Sequence, residues 1–257
     1  MPKTRLNISF EFFPPKTLAA SFQVWESLQM LAPLSPDFIS ITYGADGGTR
    51  DRTQEMVETI HQNFKFDIAP HLTCANMSKE ETIRIAKRCW DIGVRQIVAL
   101  RGDPPKRNTK FIPHKNGYKN SIDLINGLAQ NGYKNIRVGA YPELHPDASS
   151  MRANIDWLKG KFDAGATSAI TQFFFEPKIF LKFRDRCVKA GIKAPIIPEV
   201  LPIENWVKNK VFIERCGAHI PNDLRCRFIA AKDDSDEEDG KKLINVTEKN
   251  QQRSERK

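Results

Sequence analysis

No run of about 18 consecutive apolar residues occurs in this sequence, so no segment reads as a membrane-spanning helix. Residues 1 to 20 lack the uninterrupted apolar core of a signal peptide. Cysteine is sparse: five residues, Cys74, Cys89, Cys187, Cys216 and Cys226, are scattered with no CxxC or metal-ligand spacing. That usage predicts reduced, buried thiols in a cytosolic protein. There is no His/Asp/Glu cluster at metal-ligand spacing and no GxSxG nucleophile motif. Both phosphate-binding fingerprints, GxGxxG and GxxxxGK followed by Ser or Thr, are missing too. Acid is the weaker charge. Forty Lys and Arg against 31 Asp and Glu leave a net charge of +9, which suits an anionic ligand. The bases are spread along the chain rather than clustered with aromatics, which argues against nucleic-acid binding.

What is present is alternation. Short β-type runs fall at 6–13, 37–43, 67–73, 95–100, 136–141, 167–175 and 195–200. Helical patterns fall between them, near 19–32, 51–64, 78–92, 120–130, 149–164, 177–190 and 204–215. Ser78 followed by Glu81 marks a capping box, and Gly93 and Gly191 stand where helices should end. Strand and helix in alternation with short loops predict a parallel sheet. Seven such units predict an α/β fold of the (β/α)8 TIM-barrel type, with the last apolar strand missing. The barrel is expected over residues 1–231. Residues 232–257 read as a divergent, flexible charged tail, with six acids between Asp233 and Asp239.

One carboxylate stands inside the first strand pattern. Glu11 lies between Phe10 and Phe12, and alternation puts Ser9, Glu11 and Phe13 on one face. Burial among Phe side chains predicts a raised pKa, as a general acid needs near neutral pH. A salt-bridged structural Glu is the competing reading. Barrel sites lie at the C-terminal strand ends. Those ends carry Glu11, Thr42-Tyr43, His71, Arg101-Gly102-Asp103, Tyr141 with His145, and Gln172. Arg101 and Lys161 are candidates to hold a diphosphate. Glu11 and Asp103 are candidates for an acid and a charge stabiliser. The residues alone reach a barrel enzyme with an anionic cofactor or substrate.

Six ordered strings go further: Ser9-Phe10-Glu11-Phe12-Phe13-Pro14-Pro15-Lys16, Thr42-Tyr43-Gly44-Ala45, Ala69-Pro70-His71-Leu72-Thr73, Ala99-Leu100-Arg101-Gly102-Asp103, Ala140-Tyr141-Pro142-Glu143-Leu144-His145-Pro146 and Ile170-Thr171-Gln172-Phe173-Phe174-Phe175. Together they resemble the 5,10-methylenetetrahydrofolate reductases of the bacterial single-domain type, from about residue 6 to about residue 243. The resemblance implies a cytoplasmic flavoprotein with non-covalent FAD and NADH or NADPH as donor. It implies ping-pong reduction of methylenetetrahydrofolate to 5-methyltetrahydrofolate, for methionine synthesis. It further implies a homo-oligomer, with no membrane or nucleic-acid partner.

By this resemblance Glu11 is the general acid, and Asp103 is the carboxylate whose charge favours a 5-iminium cation. Thr42, Tyr43, Ala45, His71, Arg101, Gly102, Asp103, Tyr141, His145, Ala148 and Lys161 are implied FAD contacts. Glu11, Gln172, Lys208 and Phe212 are implied at the substrate. The sequence departs from the pattern in places. Asn154, Trp157 and Gly160 stand for Asp, Asn and Arg, Lys119 for a flavin-contacting Ala, and Lys208 for a folate-binding Gln. The family's last strand, of the type His-Phe-Tyr-Thr-Leu-Asn, and the folate-binding Arg after it are absent. An unclosed barrel is expected to be poorly stable, to associate through its open edge and to hold FAD weakly. The alternative reading is therefore a truncated FAD-binding remnant with little or no turnover.

Overall fold

A computed structural model describes residues 6–43, 50–103 and 111–230. Ala45 and the whole 232–257 segment lie outside these residues. The chain divides into two compact units, Met1–Val138 with Asp163–Thr167, and Gly139–Phe162 with Ser168–Lys257.

The first unit holds β1 (Ser9–Phe12), α1 (Leu18–Leu31), β2 (Phe38–Ile41), α2 (Arg50–Asn63), β3 (Ile68–Thr73), α3 (Lys79–Asp91), β4 (Gln96–Leu100), α4 (Ser121–Gln130) and most of β5 (Asn135–Ala140). All its strand pairs are parallel: Ser9 pairs with Phe38, Ile39 with Ile68, His71 with Val98 and Gln96 with Asn135. The strands are short and apolar because helices cover them; Phe38, Ile39, Ile68, Ala69, Val98 and Ala99 are all buried. Leu28 of α1 and Met56, Val57 and Ile60 of α2 close over Ile39 and Ile41. The capping box forms as the spacing predicts. Ser78 Oγ accepts from Glu81 N at 3.1 Å, and the Glu81 carboxylate accepts from Ser78 N at 2.8 Å. Gly93 follows α3 with φ +101°, a conformation that only glycine takes without strain.

The second unit holds all but the last residue of α5 (Met151–Asp163), with β6 (Ser168–Thr171), α6 (Pro177–Lys189), β7 (Ile196–Ile197), α7 (Trp206–Cys216) and α8 (Asn222–Ala230). Phe173, Ile203, Trp206, Ile213, Ile220 and Phe228 form its core. Strand order follows chain order from β1 to β7, the arrangement of a TIM-like βα fold that lacks its last unit among the described residues.

Five local expectations needed correction. β1 starts at Ser9 rather than Leu6 and ends at Phe12, leaving Leu6 and Phe13 exposed. β6 stops at Thr171 rather than Phe175, because the Phe173 amide turns to the Gln172 side chain at 3.2 Å and leaves the ladder. β7 spans two residues rather than six; Pro195 and Pro198 flank it and can donate nothing to a ladder. α8 had no counterpart in the sequence reading. Its apolar stripe is only Leu224 and Phe228, with Phe228 stacked on Trp206 at 4.6 Å. That helix also exposes Cys226, against the expectation that all five thiols are buried; Cys74, Cys89 and Cys187 are.

Gly127 offers a test of packing. Alanine ordinarily stabilises a helix interior over glycine by about 0.5–1 kcal/mol. A Cβ at Gly127 would collide with the Tyr118 hydroxyl and lie 2.5 Å from Cε1 and Cζ of that buried ring. Overpacking of this kind costs about 1–3 kcal/mol and should win. Gly127→Ala is therefore expected to destabilise in urea unfolding. In a Tyr118→Ala background the same change should turn stabilising, and a penalty that persists there would refute the clash as its cause.

Candidate active site

In the first unit, Glu11 occupies the third position of β1, directly opposite Ser40 of β2. The Ser40 hydroxyl donates to Glu11 Oε2 at 3.2 Å. His71, one strand further on, places Nε2 3.2 Å from the same oxygen. The Glu11 side chain is 26% exposed and that of His71 is 11% exposed. Nε2 is buried, and although it lies this close to Glu11 it makes no well-aligned hydrogen bond among the described residues. Burial pushes the Glu11 carboxyl up, but the His71 contact and charge, and then the Ser40 hydroxyl, outweigh it. The net shift is downward from the ordinary 4.5. This overturns the raised pKa expected from the Phe-rich sequence. Phe13 is turned to solvent, and the imidazole and hydroxyl come from strands far away in the chain.

Neighbouring strand ends are tied down by side chains. Thr42 N donates to Phe12 O at 2.9 Å, and the Thr42 carbonyl accepts from Thr53 Oγ1 at 3.1 Å. The Tyr43 hydroxyl sits 3.9 Å from Met77 Sδ. Arg101 is half-buried, its guanidinium 5.1 Å from the centre of the Phe111 ring. The Arg101 carbonyl accepts from Cys74 Sγ at 3.3 Å, and burial pushes that thiol up to about 11. Gly102 has φ +84°, and a Cβ there would meet Ala75 Cβ at 2.9 Å and Thr73 Cβ at 3.0 Å. Asp103 follows, exposed.

The second unit gathers a different group. Tyr141 and His145 meet edge to face at 4.4 Å. His145 Nδ1 accepts from Asp147 N at 3.0 Å, and its carbonyl accepts from Ala148 N at 2.9 Å. Lys161 is buried, with Nζ donating to Gly139 O at 2.7 Å. Gln172 N donates to Ala140 O at 2.7 Å, while its Oε1 accepts from Phe173 N. Phe212 packs on Phe173 at 5.7 Å, and Lys208, one turn earlier on α7, is exposed.

The predicted residues thus fall into a Glu11–His71 pair with the Thr42 and Arg101 strand ends in one unit, and a Tyr141–His145–Ala148 turn, Lys161, Gln172 and Phe212 in the other. Ser40 was missed. Its signal was present: it is the one polar residue of the Phe-Ile-Ser-Ile strand, on the alternation phase that faces a carboxylate.

The methylenetetrahydrofolate reductase family model matches residues 1–252. The chain belongs to the methylenetetrahydrofolate reductase family. It is similar to the 5,10-methylenetetrahydrofolate reductase of Pectobacterium carotovorum, 43% identical over 224 residues, 87% of this chain and 73% of that one. To the Escherichia coli protein of the same name it is 42% identical over 232 residues, 90% and 76% of the two chains. The chain thus spans about three-quarters of these relatives' length. A solved Clostridium thermocellum protein, described as binding two copies of 5-methyl-5,6,7,8-tetrahydrofolic acid, shares the fold. That likeness has a TM-score of 0.63 at 15% identity and covers 95% of this chain and 83% of that one.

Because the folded Glu11 titrates below its unfolded value, its ionised form stabilises the fold above the ordinary value of 4.5. That contribution is lost as pH falls through the lower folded value. The stability gap between wild type and Glu11→Gln should therefore close on acidification below about 4.5. His71→Leu should move the Glu11 titration upward, since burial then dominates. Carboxyl carbon NMR of the free protein measures this, and an unmoved midpoint would rule out His71 as the cause.

Proposed function

We propose that the chain reduces 5,10-methylenetetrahydrofolate to 5-methyltetrahydrofolate, with FAD as bound cofactor and NADH or NADPH as donor, by a ping-pong sequence. The observation that carries this reading is the Glu11 carboxylate, set at a strand end with Oε2 anchored and Oε1 without a partner among the described residues. The residues present fit FAD in kind. In the first unit Arg101 suits a phosphate, and Tyr43 and His71 offer an aromatic edge and a hydrogen-bonding group; in the second, Lys161 suits a phosphate, and Tyr141 and His145 offer the same. His71 keeps a buried nitrogen without a well-aligned partner, and Gly102 gives bare backbone where a Cβ would not fit.

When bound, FAD supplies the hydride chemistry. Glu11, which favours its ionised form in the free protein, would take up a proton and pass it to the folate nitrogen, so that the one-carbon bridge opens to an iminium cation. Asp103, exposed beyond β4, offers a negative charge that favours the cation. Gln172 and Phe212 orient the substrate, the amide by hydrogen bonding and the ring by packing. Lys208 lies on the same helix as Phe212 and suits an anionic tail. A cytoplasmic location fits the three buried free thiols. Self-association fits Leu18, Phe22 and Met30, which α1 turns to solvent.

A second reading, a flavin-binding chain with little or no turnover, draws on the sheet. Among the described residues β1 pairs with β2 alone, so the strand that carries Glu11 has an unpaired edge. One experiment separates the two. Bound flavin is bleached anaerobically with NADH and then exposed to methylenetetrahydrofolate. Reoxidation marks the reductase, and bleaching without reoxidation marks the remnant.

Glu11→Gln should still bind flavin and accept electrons from NADH, while folate reduction falls by roughly 10²-fold or more. Normal folate turnover would remove Glu11 from the mechanism. Asp103→Asn should slow the folate half-reaction more than the NADH half-reaction, measured by stopped-flow absorbance. Equal loss in both would reassign Asp103 to its loop.

A further inference from the structure

Both polar contacts to Glu11 fall on one oxygen. Ser40 Oγ and His71 Nε2 each lie 3.2 Å from Oε2, and Oε1 has no partner among the described residues. Ser40 is 2% exposed and opposite Glu11 in the β1–β2 register, so neither residue can drift along the other. A hydroxyl can donate or accept by rotating its hydrogen, with no heavy atom moving. An imidazole Nε2–H can only donate unless its tautomer changes. Ser40 makes a hydrogen bond to Oε2 whereas His71 Nε2 makes none that is well aligned, so Ser40 is the neighbour that anchors this oxygen.

We propose that Ser40 is a positioning residue for Glu11: it anchors Oε2 throughout the proton transfer and so assigns Oε1 as the oxygen that carries the proton to the folate. This rests on the reductase reading above. In the resting state Ser40 donates to the carboxylate, and His71 faces the same oxygen from β3. Among the described residues, His71 is the only titratable group that faces Glu11, since β2 contributes only the neutral Ser40. When Glu11 takes a proton from solvent onto Oε1, Oε2 becomes the carbonyl oxygen of the acid and still accepts from Ser40. In the reaction the O–H bond at Oε1 breaks and its proton goes to the folate nitrogen. The bond from that nitrogen to the one-carbon bridge breaks, and its electron pair becomes the new N–H bond. The carbon is left as the iminium, and Glu11 returns to the carboxylate. Two contacts that favour the charged form mean that the acid is charged with its proton against a bias, and Ser40 sets part of that bias.

The test uses the full chain as Ser40→Ala and Ser40→Thr, with two independent readouts. Carboxyl carbon NMR of free protein follows the Glu11 titration and needs no cofactor or activity. Ser40→Ala should move the midpoint upward, and Ser40→Thr, which keeps the hydroxyl, should restore it. In flavin-loaded protein, a hydrogen bond of ordinary net strength corresponds to about two- to tenfold in the protonated fraction of Glu11. The alkaline fall-off of flavin reoxidation by methylenetetrahydrofolate should therefore move to higher pH in Ser40→Ala. Its plateau rate should drop because the acid is less well aimed, and reduction by NADH should not change. An unmoved Glu11 midpoint in Ser40→Ala overturns the proposal, as does a plateau and pH profile equal to wild type. If no variant turns over folate, the reductase reading fails while the NMR arm still decides whether Ser40 anchors Glu11. Should the alanine variant fail to fold, Ser40→Cys, a poor donor of similar size, gives the same two readouts.

Discussion

Placing a carboxylate inside a parallel strand imposes a cost that the surrounding strands must meet. Taking an ionised carboxyl away from water costs several kcal/mol unless it finds partners. Here each of three successive strands contributes one member: Glu11 from β1, Ser40 from β2 and His71 from β3. Register makes this possible. Glu11 is opposite Ser40 and Ser40 is opposite Ala69, so His71 stands two residues further along on the same face. A shift of one residue in either ladder would turn a partner to the helix-covered side. The chemistry at Glu11 therefore depends on sheet register before it depends on any loop.

A second constraint recurs at the strand ends, where the backbone leaves the ladder with carbonyls unpaired. Such groups must find partners when buried. Side chains supply them: Thr53 to Thr42, Cys74 to Arg101, Asn154 to Tyr141 and Lys161 to Gly139. In each unit the residues proposed to touch cofactor thus sit on backbone that is already fixed. Fixed backbone lowers the ordering cost of binding and holds reacting groups near their working geometry.

Alternation of apolar runs made every one of the seven strands and the first seven helices legible in the sequence. The strand patterns needed only a parallel sheet with helices over it to make sense. The ends were less legible, for reasons that are local. Nothing in Phe173-Phe174-Phe175 says that the Gln172 side chain will capture the next amide and end β6. α8 carries too thin an apolar stripe to announce itself, and its anchor, Trp206, is sixteen residues before the first residue of the helix. The candidate site was legible as a set of strand-end residues, but its electrostatics were not. The direction of the Glu11 shift turns on His71 and Ser40, and only tertiary pairing brings them within 3.2 Å.

Asn154 shows how a departure from a family pattern reads physically. The bacterial pattern that this chain resembles has Asp at that position. Here the amide Nδ2 donates to the Tyr141 carbonyl at 2.8 Å, and the residue is buried. An ionised Asp has no hydrogen to donate, so it would repel that carbonyl and need a different partner. Asn thus exchanges one carboxylate oxygen for an amide nitrogen that fastens the exit of β5, and keeps Oδ1 as an acceptor. Lys161, seven residues on in α5, does the same for Gly139, and Gly160 brings no second cation there. With an acid and an arginine both absent, the local charge changes by cancellation rather than in one direction. Asn154 and Lys161, both buried on α5, are thus spent on holding the backbone of β5 and of its exit.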